Sequence, residues 1–144
     1  MKLDPKQRVH FVGIGGAGMS AIAKVLIERG FTVSGSDLKG SRASAMLQAT
    51  GAAVHVGHDA DLIPGAGLVI VSSAIPENNP EYRAAGELGI PILSRGEALA
   101  LLLAELRAIV VAGTHGKTTT TSMIVTILRA SGMDPTYLVG AGLN

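Results

Sequence analysis

The sequence contains no cysteine and no tryptophan, and aromatic residues make up only 3% of its 144 positions. Without cysteine, the chain forms neither a disulfide framework nor a thiolate metal site. The four histidines are scattered and do not have the His-x-x-x-His spacing of a helical metal site. So few aromatic rings also argue against a surface that stacks nucleic-acid bases.

An excess of charge of one sign and a long apolar run are missing as well. Lysine and arginine total 12 against 11 acidic residues, so a net charge of +1 gives no electrostatic reason to expect nucleic acid as a partner. No apolar run approaches the ~20 residues that cross a bilayer, and residues 1–18 do not form a signal peptide. These absences favour a cytoplasmic protein that binds a small molecule, with neither nucleic acid nor membrane as a partner.

Hydrophobic residues are present at 47%, and 19 residues are glycine. The patterning predicts strands at residues 9–12, 31–34, around 54, 68–72 and 90–93. Helices are predicted at residues 19–29, 42–49, 80–88 and 95–106, the last opened by a capping-box pattern of Ser94 and Glu97. The alternation predicts an α/β fold, a mostly parallel sheet with helices on both faces.

A glycine-rich segment, Gly13-Ile14-Gly15-Gly16-Ala17-Gly18, lies between the first predicted strand and helix and matches G-x-G-x-x-G. Gly13 allows a tight turn, Gly15 lets a pyrophosphate approach the backbone, and Gly18 permits close packing of helix on strand. Asp37, about 20 residues on, is placed to contact a ligand hydroxyl or base. The motif predicts a Rossmann-like nucleotide domain. The alternatives are a turn that only packs the helix, and a segment 34–37 that caps the next helix.

A second phosphate motif, Gly113-Thr114-His115-Gly116-Lys117-Thr118-Thr119, follows a predicted strand at residues 108–111 and precedes a predicted helix at 122–130. Its backbone N–H groups would form an anion nest, with Lys117 on the β and γ phosphates and the Thr118 hydroxyl on Mg²⁺. The first glycine comes late for G-x-x-x-x-G-K-[ST]. His115 is given no acid–base role.

A new strand-loop-helix unit with its own phosphate motif begins near residue 107. We therefore predict a complete domain over residues 1–106 and the beginning of a P-loop ATPase domain over 107–144. One strand, one helix and the short segment 137–139 are too little to enclose a core. The helix after Lys117 would leave an apolar face exposed. We therefore expect the chain to be the N-terminal part of a longer protein. The remainder of that protein would then be a partner against which this part packs.

Both loops resemble those of the Mur ligases. The resemblance is carried by His10-Phe11-Val12-Gly13-Ile14-Gly15-Gly16-Ala17-Gly18-Met19-Ser20 and by Gly113-Thr114-His115-Gly116-Lys117-Thr118-Thr119-Thr120, and residues 34–37, 71–75 and 94–97 add to it. It is greatest to the branch that joins L-alanine to UDP-N-acetylmuramate, because the first loop of a related muramyl-tripeptide ligase differs. The family's G-T-x-G-K-T pattern accounts for the late glycine.

The resemblance implies a Rossmann-like domain for the UDP-sugar, followed by an ATPase domain. In the family's chemistry, ATP phosphorylates the muramate carboxylate, and the amine of L-alanine attacks the acyl phosphate. Lys117 is the implied catalytic residue and Thr118 the implied Mg²⁺ ligand; further carboxylate ligands would lie downstream, so this piece alone is expected to be inactive. The implied UDP-sugar residues are Gly15, Gly16, Ala17, Gly18, Met19, Ser20, Asp37, Ser72 and Ser73. The implied ATP residues are Gly113, Thr114, His115, Gly116, Lys117, Thr118 and Thr119.

Other functions stay open at this point. An NAD-binding oxidoreductase or a regulatory Rossmann domain explains the first loop but not the second, and a UDP-sugar-binding module without catalysis is a third class. The residues Ser72 and Ser73 end a predicted strand and could equally form a turn before Pro76. Arg95 is as consistent with a solvated helix turn as with a phosphate neighbour. No role is predicted for His55 and His58.

Overall fold

A computed structural model of the chain describes residues 4–104 and 106–139. The chain divides into two compact units, Met1–Glu105 and Leu106–Asn144. The first unit has five strands: β1 Arg8–Val12, β2 Thr32–Asp37, β3 Ala53–Val56, β4 Ala66–Val71 and β5 Ile92–Ser94. Its α-helices are α1 Ala17–Glu28, α2 Arg42–Ala49, α3 Pro80–Glu87 and α4 Arg95–Ala104, with a short 3-10 helix at Ala60–Leu62. The described part of the second unit contains α5, Lys117–Ala130.

The five strands form one parallel sheet in the order β3-β2-β1-β4-β5. This confirms the predicted α/β, Rossmann-like sheet. From β1 the chain builds outward through β2 and β3, and then returns to place β4 on the other side of β1. Ligands of such sheets bind beyond the carboxyl ends of the strands where the order reverses, which here is between β1 and β4.

Alternating side chains of the central strands pack on two faces. Val12 and Val69 pack with Ala85 of α3 and with Ile63, so α3 covers one face. Because side chains alternate along a strand, Phe11, which is 0% exposed, points to the opposite face. There α1 packs against α2 and α4. Helices therefore cover both faces, as predicted.

A glycine in β2 allows the loop after β1 to lie directly on the sheet. A Cβ atom at Gly35 would be 2.7 Å from Ile14 Cδ1 and 2.7 Å from the Phe11 carbonyl oxygen. We predicted this kind of close approach for Gly18. The atoms nearest to a Cβ at Gly18 instead belong to Arg95, at 2.8 to 3.4 Å, because the start of α1 lies beside α4 and not over a strand.

The capping box at α4 is confirmed. The Ser94 hydroxyl donates to Glu97 Oε2 at 2.7 Å and the Ser94 N–H donates to the same oxygen at 2.8 Å. The Glu97 N–H donates back to Ser94 Oγ at 3.3 Å. The two bonds that the Glu97 carboxylate accepts, of which the bond from the Ser94 hydroxyl has the larger effect, hold the pKa of Glu97 below its ordinary value. The box fixes where β5 ends and α4 begins.

At the second motif the predicted helix is confirmed and the predicted strand is wrong. The helix ends at Ala130 as predicted but begins earlier, at Lys117 and not at residue 122, so the glycine loop leads straight into it. The strand predicted at residues 108–111 is not formed. Ile109 and Val110 are 66% and 73% exposed, because within residues 106–139 this unit has no strand with which they could pair, and an apolar run needs a neighbouring strand to form a ladder.

Candidate functional site

The loop after β1 is a tight turn held by β2. Gly13 has a φ of +84°, in the left-handed region that favours glycine. The N–H groups of Gly13 and Ile14 donate to the carbonyl of Ser36 at 2.9 and 3.0 Å. A Cβ atom at Gly13 would be 3.0 Å from Ser72 Cβ. The turn therefore lies between the carboxyl ends of β2 and β4.

The first turn of α1 presents backbone donors. No side chain caps the helix at Gly16, and the N–H groups of Ala17, Gly18 and Met19 have no helical carbonyl four residues back. The Met19 side chain is 1% exposed and belongs to the core. The Ser20 N–H donates to the Gly16 carbonyl at 2.8 Å, and its hydroxyl donates to the Ala17 carbonyl at 3.1 Å. Free donors are thus concentrated at residues 17–19.

The carboxylate of Asp37 faces this loop from the end of β2. The Gly15 N–H donates to Asp37 Oδ2 at 2.8 Å. Helix α2 is capped by Ser41, whose hydroxyl accepts the Ser44 N–H at 3.1 Å. The alternative in which residues 34–37 cap this helix is therefore not what the fold uses. Asp37 is left to line the space in front of the glycines.

A cleft of about 370 Å³ opens where the carboxyl ends of β1, β2 and β4 meet. Its volume lies in the range of small-molecule sites, roughly 300 to 1,000 Å³. Ser72 lines it, whereas Ser73 is exposed and outside the lining. The lining residues are Gly13, Gly15, Gly16, Asp37, Leu38, Lys39, Gly40, Ser41, His58, Ser72, Ala74 and Ile75. The structure therefore brings the first loop, Asp37 and Ser72 to one place.

Arg95 was left without an assigned role in the sequence analysis. It opens α4 directly after β5, and its guanidinium lies against Gly18, with Nη1 2.8 Å from the position of a Cβ there. This places a cation beside the first turn of α1. The signal in the sequence was its place immediately after a parallel strand, because all such strand ends share one edge of the sheet.

A buried polar network behind the cleft was missed by the sequence analysis. Glu81 of α3 is 0% exposed. Its carboxylate accepts the Ser36 hydroxyl at 2.8 Å and the Asp59 N–H at 3.1 Å, and it bonds His10 Nε2 at 2.8 Å and His58 Nδ1 at 3.0 Å. The signal that could have found it is the polar side chains at residues 10, 34 and 36, which interrupt apolar strands on one face.

The network keeps the Glu81 carboxylate ionised. Burial by itself would raise the pKa of Glu81. This effect is outweighed by the hydrogen bonds from His10 and Ser36, by the charge of His10 and by the bond from His58, so the pKa lies below its ordinary value. Beyond His10, Ser34 Oγ lies 2.8 Å from its Nδ1 and accepts from Arg8 at 2.7 Å. A chain of polar contacts thus runs from the edge of the cleft into the sheet.

The second glycine loop lies at the start of α5. Gly116 has a φ of +78° and precedes the helix without a side-chain cap. Lys117 Nζ donates to the carbonyls of Gly113 at 2.6 Å and Thr114 at 3.2 Å, so the ammonium lies over the loop. His115, Thr118 and Thr119 are exposed. The loop, its lysine and its threonines are therefore together on one accessible surface.

The described helices include none with the length and apolarity required to span a bilayer. Within residues 4–104 and 106–139, no group of three His, Asp or Glu side chains is arranged to hold a metal ion. Mg²⁺ prefers six oxygen ligands, several of them water or phosphate oxygens. The Thr118 hydroxyl is suited to supply one of them beside a bound nucleotide.

The comparisons with known proteins point one way. The family described as Mur ligase family, catalytic domain, matches residues 8–107. A relative from Syntrophobacter fumaroxidans, UDP-N-acetylmuramate–L-alanine ligase, is 53% identical over 139 residues, which is 96% of this chain and 30% of the relative. The chain therefore spans about 30% of the length of the curated relatives that it matches.

Two solved structures share the fold. The UDP-N-acetylmuramate-alanine ligase of Thermotoga maritima has a TM-score of 0.80 and 36% identity, over 88% of this chain and 30% of that one. The UDP-N-acetylmuramate:L-alanyl-gamma-D-glutamyl-meso-diaminopimelate ligase from Neisseria meningitides has a TM-score of 0.80 and 35% identity, over 88% of this chain and 40% of that one. With a family match over residues 8–107 and two glycine loops in the family's order, this chain belongs to the Mur ligase family.

Proposed function

We propose that this chain is part of a cytoplasmic, ATP-dependent ligase that joins L-alanine to UDP-N-acetylmuramate in peptidoglycan synthesis, and that its first unit binds the UDP-sugar. The observation that carries the proposal is the cleft at the strand ends, which is lined by Gly15, Gly16, Asp37 and Ser72 and lies directly before the uncapped first turn of α1. The names of the relatives supply the substrate. A nucleotide sugar would offer its hydroxyl groups to Asp37 and Ser72 in the cleft and its diphosphate to the first turn of α1.

The diphosphate of the ligand would lie at the start of α1. The N–H groups of residues 17–19 and the positive end of the helix dipole attract an anion there, an effect worth about 0.3 to 1 kcal/mol per charge at an exposed helix end. Arg95 adds a full positive charge beside Gly18. Gly15 and Gly16 leave the backbone accessible, while Asp37 and Ser72, which line the cleft, would contact the uridine or sugar.

ATP would bind at the loop from Gly113 to Thr119. Its phosphates would replace the carbonyls of Gly113 and Thr114 as partners of Lys117, and Thr118 would bind the accompanying Mg²⁺. The muramate carboxylate repels the γ-phosphate, and it is too weak an electrophile for the amine of L-alanine to attack. Lys117 would offset the negative charge while the γ-phosphoryl group passes to the carboxylate oxygen and ADP leaves. The amine would then attack the acyl carbon, lose a proton and displace phosphate, which gives the amide.

Calorimetric titration of the 144-residue chain with UDP-N-acetylmuramate, and separately with NAD, tests the first half of the proposal. We expect binding of the UDP-sugar and none of NAD. Gly15→Ala should weaken the binding, because its Cβ would lie 2.9 Å from Asp37 Oδ2 and from Ser41 Oγ. Gly86→Ala, with no atom within 4 Å of its Cβ, is the matched control. Binding of NAD alone would make the chain a dinucleotide-binding protein instead.

A further inference from the structure

A second cavity, of about 440 Å³, opens on the face of the sheet that α3 partly covers. It is larger than the cleft at the strand ends, which has about 370 Å³, and the two share no lining residue. We call it the rear cavity. Its lining includes Arg8, His10, Ser34, Ala52, Ala53 and Leu62. The rear cavity is therefore separate from the site that we propose for the nucleotide sugar.

Small side chains in one row of the sheet leave room for the rear cavity. His10, Ser34 and Ala53 are register partners across β1, β2 and β3, so their side chains project from the same face. That face is the one on which α3 lies, because His10 Nε2 is 2.8 Å from Glu81 Oε2. α3 packs against the 3-10 helix and β5, whereas the row ends at an exposed alanine on the edge strand β3. A hollow therefore remains over Ser34 and Ala53.

Arg8 brings a positive charge to the rear cavity. Its guanidinium is half-buried and donates to Ser34 Oγ at 2.7 Å and to the carbonyls of Leu62 and Pro64 at 3.1 and 2.7 Å. These partners are neutral, and among residues 4–104 and 106–139 no carboxylate forms an ion pair with Arg8. The lining of the cavity contains no Asp or Glu. A partly buried charge with neutral partners is stabilised by an anion that approaches it.

The buried carboxylate of Glu81 does not provide that anion. Two side chains, Ser34 and His10, separate it from Arg8 along the chain of polar contacts. Both of its oxygens already have partners in the buried network described above. Glu81 is also outside the lining of the rear cavity. The charge of Arg8 is therefore left for a ligand in the cavity.

We propose that the rear cavity binds a small organic carboxylate, whose charged end lies near Arg8 and whose aliphatic part lies over Ala52, Ala53 and Leu62. The planar guanidinium matches the geometry of a carboxylate. The two alanines and the leucine offer apolar surface to a short carbon chain. This site does not depend on the proposed function, because the two cavities have no residue in common.

Titration of the 144-residue chain with butyrate, followed by amide NMR, tests the site. Butyrate should bind with a Kd of about 1 to 20 mM. It should shift the resonances of Ser34 and Ala53 but not those of Gly15 and Gly16, which line the cleft. Butyramide lacks the charge and inorganic phosphate lacks the carbon chain, so each should bind about 10-fold more weakly. Equal binding of either control, or shifts confined to the cleft glycines, would overturn the proposal.

Butyrate titrations with and without UDP separate this site from the cleft. The affinity for butyrate should be the same in both, because the two cavities share no lining residue. Competition between butyrate and UDP would place the carboxylate in the cleft and overturn the proposal. Failure of UDP to bind would count against the proposed function and leave the butyrate result unaffected.

A carboxylate built into the rear cavity gives an independent test. Ala53→Glu should abolish the butyrate shifts, and its Tm should exceed that of Ala53→Gln by about 1 to 4 °C, because only the glutamate gives Arg8 a charged partner. Ala45→Glu, at an exposed site of α2 outside the cavity, controls for net charge and should leave butyrate binding unchanged. Butyrate binding that persisted in Ala53→Glu, or equal Tm values for Ala53→Glu and Ala53→Gln, would contradict the proposal.

Discussion

Two glycine loops lead into helices in this chain, and they differ in what stands behind them. β1 precedes the first loop and pairs with β2 and β4, whereas the apolar residues before Gly113 form no strand and are largely exposed. α5 and its glycine turn form nonetheless, because helical hydrogen bonds are local. A strand-loop-helix pattern therefore specifies the loop and the helix by itself, while the strand forms only where partner strands are present.

Matched truncations in the two segments that precede the helices should differ most in their effect on stability. Ile70 in β4 is 1% exposed and Ile109 is 66% exposed. Ile70→Ala should lower the free energy of unfolding by about 2 to 5 kcal/mol through lost burial and a cavity, whereas Ile109→Ala should change it by about 0.5 kcal/mol or less. Urea unfolding followed by circular dichroism measures both. Similar losses would mean that the segment before Gly113 is packed like a strand.

Two glycine substitutions within the first unit sharpen the contrast between close packing and open space. Gly35→Ala should cost about 1 to 3 kcal/mol, because the new Cβ would lie 2.7 Å from a backbone oxygen. Gly86→Ala in the exposed part of α3 should stabilise the chain by about 0.5 to 1 kcal/mol, since alanine restricts the unfolded chain and favours helix. Thermal unfolding ranks the two. A tolerated Gly35→Ala would show that the loop does not lie tightly on β2.

The buried carboxylate gives the first unit a pH dependence. The pKa of Glu81 is lowered from an ordinary value of 4.5, so its ionised form stabilises the fold above that value, and the contribution is lost as the pH falls toward the lowered pKa. The stability difference between wild type and Glu81→Gln should therefore shrink below about pH 4.5. Glu77→Gln, at an exposed site just before α3, controls for loss of a carboxylate. A difference independent of pH would contradict the role assigned to ionised Glu81.

The smallest effect on folding is expected in the second loop. Among residues 4–104 and 106–139, the partners of Lys117 are the exposed carbonyls of Gly113 and Thr114, so Lys117→Met should change stability by about 0.5 kcal/mol or less. If the chain binds ATP there, the same change should weaken ATP about 10- to 100-fold through loss of charge-assisted bonds to phosphate. Lys24→Met, on the exposed side of α1, is the control in calorimetric titration. Unchanged ATP affinity would remove Lys117 from the proposed site.

The features that the sequence predicted are those set by local patterns. Apolar periodicity placed the strands and helices of the first unit, and Ser94 with Glu97 fixed the start of α4 because a capping box needs only four residues. The missed features are contacts between distant segments. His10, Ser36, His58 and Glu81 are separated along the chain and meet only because β1, β2 and α3 are assembled. The prediction of a strand before Gly113 was wrong for the same reason, because hydrogen-bonded pairing of strands depends on segments that are distant in the sequence.

The hydrogen bond from the Gly15 N–H to the Asp37 carboxylate also bears on the thermodynamics of ligand entry. It ties the middle of the glycine loop to the end of β2, so the fold itself orders the loop backbone. A flexible loop loses conformational entropy when a ligand binds, but in this loop that entropy is already lost during folding. Occupation of this cleft should accordingly proceed with little backbone rearrangement and a modest entropic penalty.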